Sequence, residues 1–335
     1  MRGRHSSGVP AGTRALLAVA GVGLLIAAGI VAVLTLRGSG AQQHGAGSAA
    51  ATAPGSSGGR LTTTVSATAN AAAADPSPIR SAGSAAAGTH RDPFGAAASS
   101  YVAARAGVIV AAVYDVRTGQ TWRLGTGPAQ PEASVVKLGI LETLLARPRG
   151  AALSAADQEL ARSMIEDSDN DAATSLWDEA GGAQGIGAYN GRAGLARTTP
   201  SPCVACAGFP WPGWGLTTTV PYDQLSLLKQ LVVPGARPLL SAAERSYALS
   251  LMENVAPGQA WGISGGVPAG VTVALKNGWL PLNDANTNWQ VNSVGWVSGD
   301  GRDYLVAVLS TGNPTEQYGI DTINGLSSLI WTAMR

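Results

Sequence analysis

The stretch EASVVKLGILETLL, residues 132–145, has the spacing of an amphipathic helix but carries almost no polar face. Val135, Val136, Leu138, Ile140, Leu141, Leu144 and Leu145 surround Lys137, one of only three lysines in the chain, and Ser134 stands one turn earlier. A lysine held among such neighbours is partly desolvated, which lowers its pKa and frees it to act as a neutral base. A serine at the start of the same helix sits where backbone N–H groups and the helix dipole favour developing negative charge. The pair Ser226 and Lys229 has the same spacing. There Asp223, Ser226, Lys229 and Gln230 form one polar helix face opposite Leu225, Leu228 and Val232, the pattern of a solvated surface.

Outward from this helix the chain divides by composition. Residues 15–36 are uncharged and apolar, and as a helix they span roughly 33 Å, enough for a bilayer core. Arg2, Arg4 and Arg14 precede the run. By the positive-inside rule residues 1–14 form a cytoplasmic tail and 15–36 a single transmembrane helix. A cleaved signal peptide is the rival reading, but the run is longer than a usual signal core and no cysteine follows it to take a lipid. Residues 37–98 are rich in Ala, Gly, Ser, Thr and Pro, a composition that buries too little apolar surface to fold, so a disordered linker is expected. Residues 99–335 hold all nine tryptophans and are expected to form one extracytoplasmic domain at a bacterial membrane.

Several function classes fall away. A net charge of +1 gives no basic field for nucleic acid. His5, His44 and His90 all precede the domain, so a Ser-His-Asp triad and a histidine-bound metal are both excluded from it. No metal and no cofactor is expected. Cys203 and Cys206 lie in SPCVACAGF, and in an exported domain a local disulfide is the expected state.

The domain reads as α+β. GVIVAAVYDVRTGQTWRLG (107–125) predicts a hairpin, and three further strands follow in GVTVALKNGW and WQVNSVGWVSGDGRDYLVAVLSTG, before a final helix. The middle is helical, with Ser154 and the box Ser241-Ala-Ala-Glu244 as caps. The expectation is a five-stranded antiparallel sheet flanked by helices, with an all-α subdomain inserted between strands 2 and 3.

Two more motifs accompany Ser134 and Lys137: Ser168-Asp169-Asn170 at the end of a helix, and Lys276-Asn277-Gly278 on a strand. Serine-x-x-lysine, then S-D-N, then a K-T-G-like triplet resembles the class A β-lactamase and penicillin-binding protein superfamily over residues 99–335. The resemblance implies that Ser134 is the acyl-accepting nucleophile, Lys137 its base, and Ser168 a relay to the leaving nitrogen. It implies that Asn170 binds the substrate's amide side chain, and that Lys276, Asn277 and Gly278 help hold the substrate carboxylate. The backbone N–H groups of Ser134 and Trp279 would form the oxyanion hole. Asp169 reads as a turn residue bonded to the backbone.

The implied partner is a β-lactam or a cell-wall peptide ending in a D-amino acid, met by a monomer. The alternatives are a DD-peptidase-like cell-wall enzyme, or a wall-binding module that has lost the chemistry. Three departures stand out. Asn277 replaces a Thr or Ser. WQVNSVGWV carries no arginine, and Arg302 nearby is expected to be solvated in a turn. No Asp or Glu occurs from Ala180 to Tyr222, where class A enzymes carry the glutamate that activates the deacylating water. Glu166 lies on a helix just before Ser168, and Glu132 is expected to favour the helix start. Ser168 follows Ser134 by only 34 residues, which implies a trimmed helical subdomain and a more open cleft, while the missing glutamate implies slow deacylation.

Overall fold

The computed structural model describes residues 91–148, 152–235, 238–283 and 285–335. The cytoplasmic tail, the apolar run 15–36 and most of the linker therefore lie outside the described residues. Among the described residues no helix is long and apolar enough to cross a membrane.

The order is α1 (Ala96–Ala103), β1 (Val108–Asp115), β2 (Thr121–Leu124), β3 (Gln130–Pro131), a 3₁₀ turn Ala133–Val135, α2 (Val136–Leu145), α3 (Ala155–Arg162) and a π turn Ser163–Asp167. Then come α4 (Asn170–Glu179), α5 (Gly182–Ala193), a 3₁₀ turn Gly213–Leu216, β4 (Thr218–Thr219), α6 (Pro221–Val232) and α7 (Ala242–Glu253). The chain closes with β5 (Thr272–Pro281), β6 (Trp289–Gly299), β7 (Arg302–Asn313) and α8 (Glu316–Ala333). The five long strands form one antiparallel sheet in the order β2-β1-β7-β6-β5. The insertion between its second and third strands is helical, as expected, but it also holds the short pair β3–β4.

Alternation along the strands explains the layers, since successive side chains face opposite sides of a sheet. Ala112, Leu305 and Ala307 face the core shared with α2 and the inserted helices. Val113, Tyr304, Val306 and Val308 face a second core closed by α1 and α8. Both faces are covered, so the strands read as nearly continuous apolar runs.

The folded unit begins earlier than residue 99. α1 starts at Ala96, Phe94 and Ala98 are buried in the second core, and Tyr101 Oη donates to Asp321 O on α8. Ala-rich composition hid this helix, because alanine suits a helix as well as a linker. Every residue of α2 is buried, as expected for a helix apolar all round.

Two residues expected to face solvent do not. Asp223 is buried, and its carboxylate accepts from Arg197 N at 2.7 Å and Thr198 Oγ1 at 2.9 Å. It ties α6 to the 197–199 segment rather than facing solvent. Arg302 is also buried; its guanidinium donates to Trp331 O at 3.0 Å and Asp300 Oδ2 at 2.6 Å, and stacks over the Trp331 ring.

Candidate active site

Ser134 occupies the middle of the 3₁₀ turn Ala133–Val135, directly ahead of α2. Ala133 is held at φ 51°, a left-handed conformation that costs a non-glycine residue roughly 1–3 kcal/mol. Two contacts hold the turn in place. Asn292 on β6 donates through Nδ2 to both Pro131 O and Glu132 O, each at 2.9 Å. Gly278 on β5 packs so closely that a Cβ there would lie 2.7 Å from Ser134 N and 2.8 Å from Glu132 O. No other residue type fits at Gly278, and β5 is the edge of the sheet, so one row of its backbone groups is unpaired by any strand.

Lys137 is fully buried, and its Nζ donates to Ser168 O at 2.5 Å and Asn170 Oδ1 at 2.8 Å, with Ser168 Oγ at 3.2 Å. Lys276 reaches the same hydroxyl from β5, with Nζ 3.0 Å from Ser168 Oγ and 3.2 Å from Asn277 O. The Ser168 hydroxyl thus lies between two amines. Ser168 is itself left-handed at φ 60°, where the π turn ends and Asp169 caps α4 by accepting from Ala172 N. Asp169 is the backbone-bonding turn residue its sequence predicted.

Burial is the main cause of the shifts at both amines. It pulls Lys137 down to about 6, with the positive Lys276 adding to the effect, and Lys276 down to about 7. A neutral Lys137 can donate to Ser168 O and Asn170 Oδ1 and still direct a lone pair at a hydroxyl.

Ser134, Ser168, Asn170 and Trp279 line one cleft of about 250 Å³, together with Asp167, Trp211, Trp289 and Glu316. Asn277 does not join them. Its buried side chain donates to Gln259 O at 2.7 Å and Trp261 O at 3.1 Å, behind the strand. The alternation of β5 puts Asn277 on the face opposite Lys276 and Gly278.

Glu132 does not serve the helix start. It is buried, its carboxyl is hydrogen-bonded to Thr219 and Gln224, and burial together with the nearby Asp223 raises it to about 8. Glu166 is absent from the cleft lining, and its charge acts on Tyr247 instead.

Trp214 was the part sequence reasoning passed over. Trp214 is buried with its ring centroid 5.0 Å from Lys137 Nζ, and its Nε1 donates to Thr174 Oγ1 at 3.0 Å. The turn that carries it is tied to the Cys203–Cys206 disulfide: Gly213 N donates to Val204 O at 2.6 Å, and a Cβ at Gly213 would collide with Cys206 Sγ. The dense aromatic and proline content of PWPGWG was the available signal.

A family model described as Beta-lactamase enzyme family matches residues 146–334. That span includes Ser168 and Lys276 and begins after Lys137. Among curated proteins the chain is 30% identical over 228 residues to "Putative lipoprotein LppW" of Mycobacterium tuberculosis and of Mycobacterium bovis. The match covers 64% of this chain and 66% of those relatives, just under two thirds of their length. Among solved structures, a beta-lactamase from Chitinophaga pinensis superposes with a TM-score of 0.60 at 19% identity, over 71% of this chain and 98% of the other. A class A beta-lactamase from Mycobacterium abscessus gives a TM-score of 0.57 at 21% identity, over 71% and 97%. At these identities the structures establish a common fold.

Proposed function

Since the chain belongs to the beta-lactamase enzyme family, we propose that it is an exported serine hydrolase acylated on Ser134 by β-lactams or by related D-amino-acid peptides. The observation that carries this reading is the Ser168 hydroxyl held between Lys137 and Lys276, with Ser134 in the same cleft. Neutral Lys137 takes the Ser134 proton as Oγ attacks the carbonyl carbon. The backbone N–H groups of Ser134 and Trp279 receive the negative charge that develops on the carbonyl oxygen. The proton then passes by way of Ser168 to the leaving nitrogen, and an ester on Ser134 remains.

Deacylation is the slow half. No carboxylate enters the Ala180–Tyr222 segment, and Trp214 covers the Lys137 side of the site with an apolar ring. General-base help to a water contributes roughly 10²- to 10⁴-fold, or about 3–5 kcal/mol of barrier. Without it the acyl-enzyme outlives its formation.

The protein works as a monomer held at the outer face of a bacterial cytoplasmic membrane. The curated relatives are named as lipoproteins, whereas this chain has no cysteine before Cys203. The apolar run 15–36 supplies the anchor in its place.

The test is rapid mixing with a chromogenic β-lactam, followed by mass analysis of the trapped protein. A burst near one equivalent and an adduct on Ser134 are expected. Linear, fast turnover with no adduct would remove the slow-deacylation reading, and an unmodified Ser134 would remove the acylation reading itself.

A further inference from the structure

A second cavity, of about 580 Å³, lies between the β2 edge of the sheet and the start of α6, and it shares no lining residue with the cleft. Ligand pockets typically enclose about 300–1,000 Å³ and pair mostly apolar walls with a few polar groups that fix orientation. This cavity has that make-up. Val110, Ala111 and Ala112 of β1, all buried, line it together with Val220 and Pro221 at the start of α6. The segment Gly125-Thr126-Gly127-Pro128 supplies another part of the wall. It passes so close to β1 that a Cβ at Gly125 would lie 2.5 Å from Ile109 O. Backbone packing therefore fixes that wall in place.

The charged groups of the cavity are cations. Arg123 stands opposite Ala112 in the β1–β2 register, so the two side chains share a face of the sheet. From there the Arg123 guanidinium stacks over the Tyr222 ring at 4.5 Å, and Tyr222 is 42% exposed. Arg197 lines the same cavity and is exposed. Neither arginine forms an ion pair among the described residues, and no Asp or Glu among them lines the cavity. Asp223, the residue after Tyr222, is buried; its carboxylate accepts from the backbone N of Arg197 and from Thr198 Oγ1, not from the guanidinium. Lys229 Nζ, 6.0 Å from the Tyr222 ring, adds a third positive group nearby.

We infer that this cavity is a second binding site, for a small organic anion with an apolar or aromatic body and a carboxylate or phosphate head. The body lies against the β1 side chains and the Tyr222 ring. The head meets the planar donor forks of Arg123 and Arg197, which suit either oxyanion. A neutral analogue keeps the apolar contact and gains no charge-assisted bond, and a cation is repelled. Binding here does not require Ser134, so it stands apart from the acylation reading.

The test uses the full chain in phosphatidylcholine nanodiscs, with empty discs as the blank. Calorimetric titration compares phenylbutyrate and phenylbutyl phosphate with phenylbutanol. At least one anion is expected to bind about tenfold more tightly than the alcohol, a difference of about 1.4 kcal/mol. Arg123→Gln with Arg197→Gln should erase that preference and leave alcohol binding and Tm unchanged. Each substitution alone should cost about threefold, and the single variants carry the comparison if the double variant loses Tm. No saturable binding of either anion, an alcohol that binds as tightly, or a preference that survives both substitutions overturns the inference. Ser134→Ala should bind the anions as the wild type does; a loss of binding there would put the anion in the cleft and overturn it too.

Discussion

Lys137 Nζ and Ser168 Oγ lie 3.2 Å apart, although 31 residues separate them in the chain. Asn170 and the Ser168 carbonyl fix the amine's other directions. As the proposed base, Lys137 must be neutral, so the acylation rate should rise with pH through about 6. Lys137→Ala should abolish the burst. In Lys276→Gln the positive neighbour that depresses Lys137 is gone, so the rising limb should move to higher pH. A limb that stays in place in Lys276→Gln would show that the two amines are not coupled.

Glu132 makes the stability depend on pH in a definite direction. Its carboxyl is raised from about 4.5 to about 8 in the folded state, so between those values the folded chain binds more protons than the unfolded one. The stability it contributes is fully present below about 4.5 and is lost as pH rises through about 8. Glu132→Gln keeps a hydrogen-bonding amide and removes the titration. Denaturant melts across pH 5 to 9 should lose stability in the wild type and lose less in the variant. Parallel curves would refute this account.

Asn292 should govern both folding and acylation, because it satisfies two carbonyls in the turn ahead of Ser134. Asn292→Ala leaves both acceptors without that donor, at a cost of about 2–4 kcal/mol. The expected result is a lowered Tm together with a reduced acylation rate. Asn292→Gln should not restore the rate, since its longer side chain displaces the amide. A variant that acylates normally despite a lowered Tm would limit Asn292 to folding.

Reducing the Cys203–Cys206 disulfide should affect one loop more than the whole domain. A ring closed over so few residues contributes about 2 kcal/mol or less. Gly213 packs against that bridge, and Trp214 follows it onto Lys137. The Cys203→Ser, Cys206→Ser pair should therefore lower Tm modestly and speed deacylation by opening the Trp214 side to water. Trp214→Ala should do the same at a larger cost in stability, about 3–5 kcal/mol. Adduct lifetimes unchanged in both variants would mean that Trp214 does not exclude the water.

Membrane attachment is open to a simple assay. In intact cells the domain should be digested by added protease while the N-terminus stays protected. A soluble protein beginning near residue 40 would instead identify residues 15–36 as a cleaved signal.

The sheet and the three motifs were legible because they rest on short-range rules. Strand alternation, capping boxes and an all-apolar helix around Lys137 can each be recognised within a dozen residues. The misreadings share a different cause. Asp223, Arg302 and Glu132 are polar residues buried by partners distant in sequence or in an unexpected turn, and no local pattern announces such a partner. Asn277 was misassigned because a motif fixes the residue's place on β5 but not where its amide finds acceptors. Trp214 was passed over. Its place over Lys137 depends on how a disulfide-tied loop returns to α2.

One consequence of the sheet order concerns the moment at which the chain becomes reactive. β1, near the start of the domain, pairs along its whole length with β7, and β7 alone joins it to β6 and β5. If the chain is exported as proposed, Ser134 and Lys137 would emerge early and Lys276 and Gly278 much later. β5 cannot be set against Ser134 until residues 302–313 have filled the centre of the sheet. Such distant pairings form slowly, because a long loop must close before any contact offsets its entropy. On the proposed export and acylation, the domain would stay silent until β7, its last strand, is through. A chain ended at Asp300 should retain Ser134, Lys137, Ser168 and Lys276, yet take no label from a reporter penicillin.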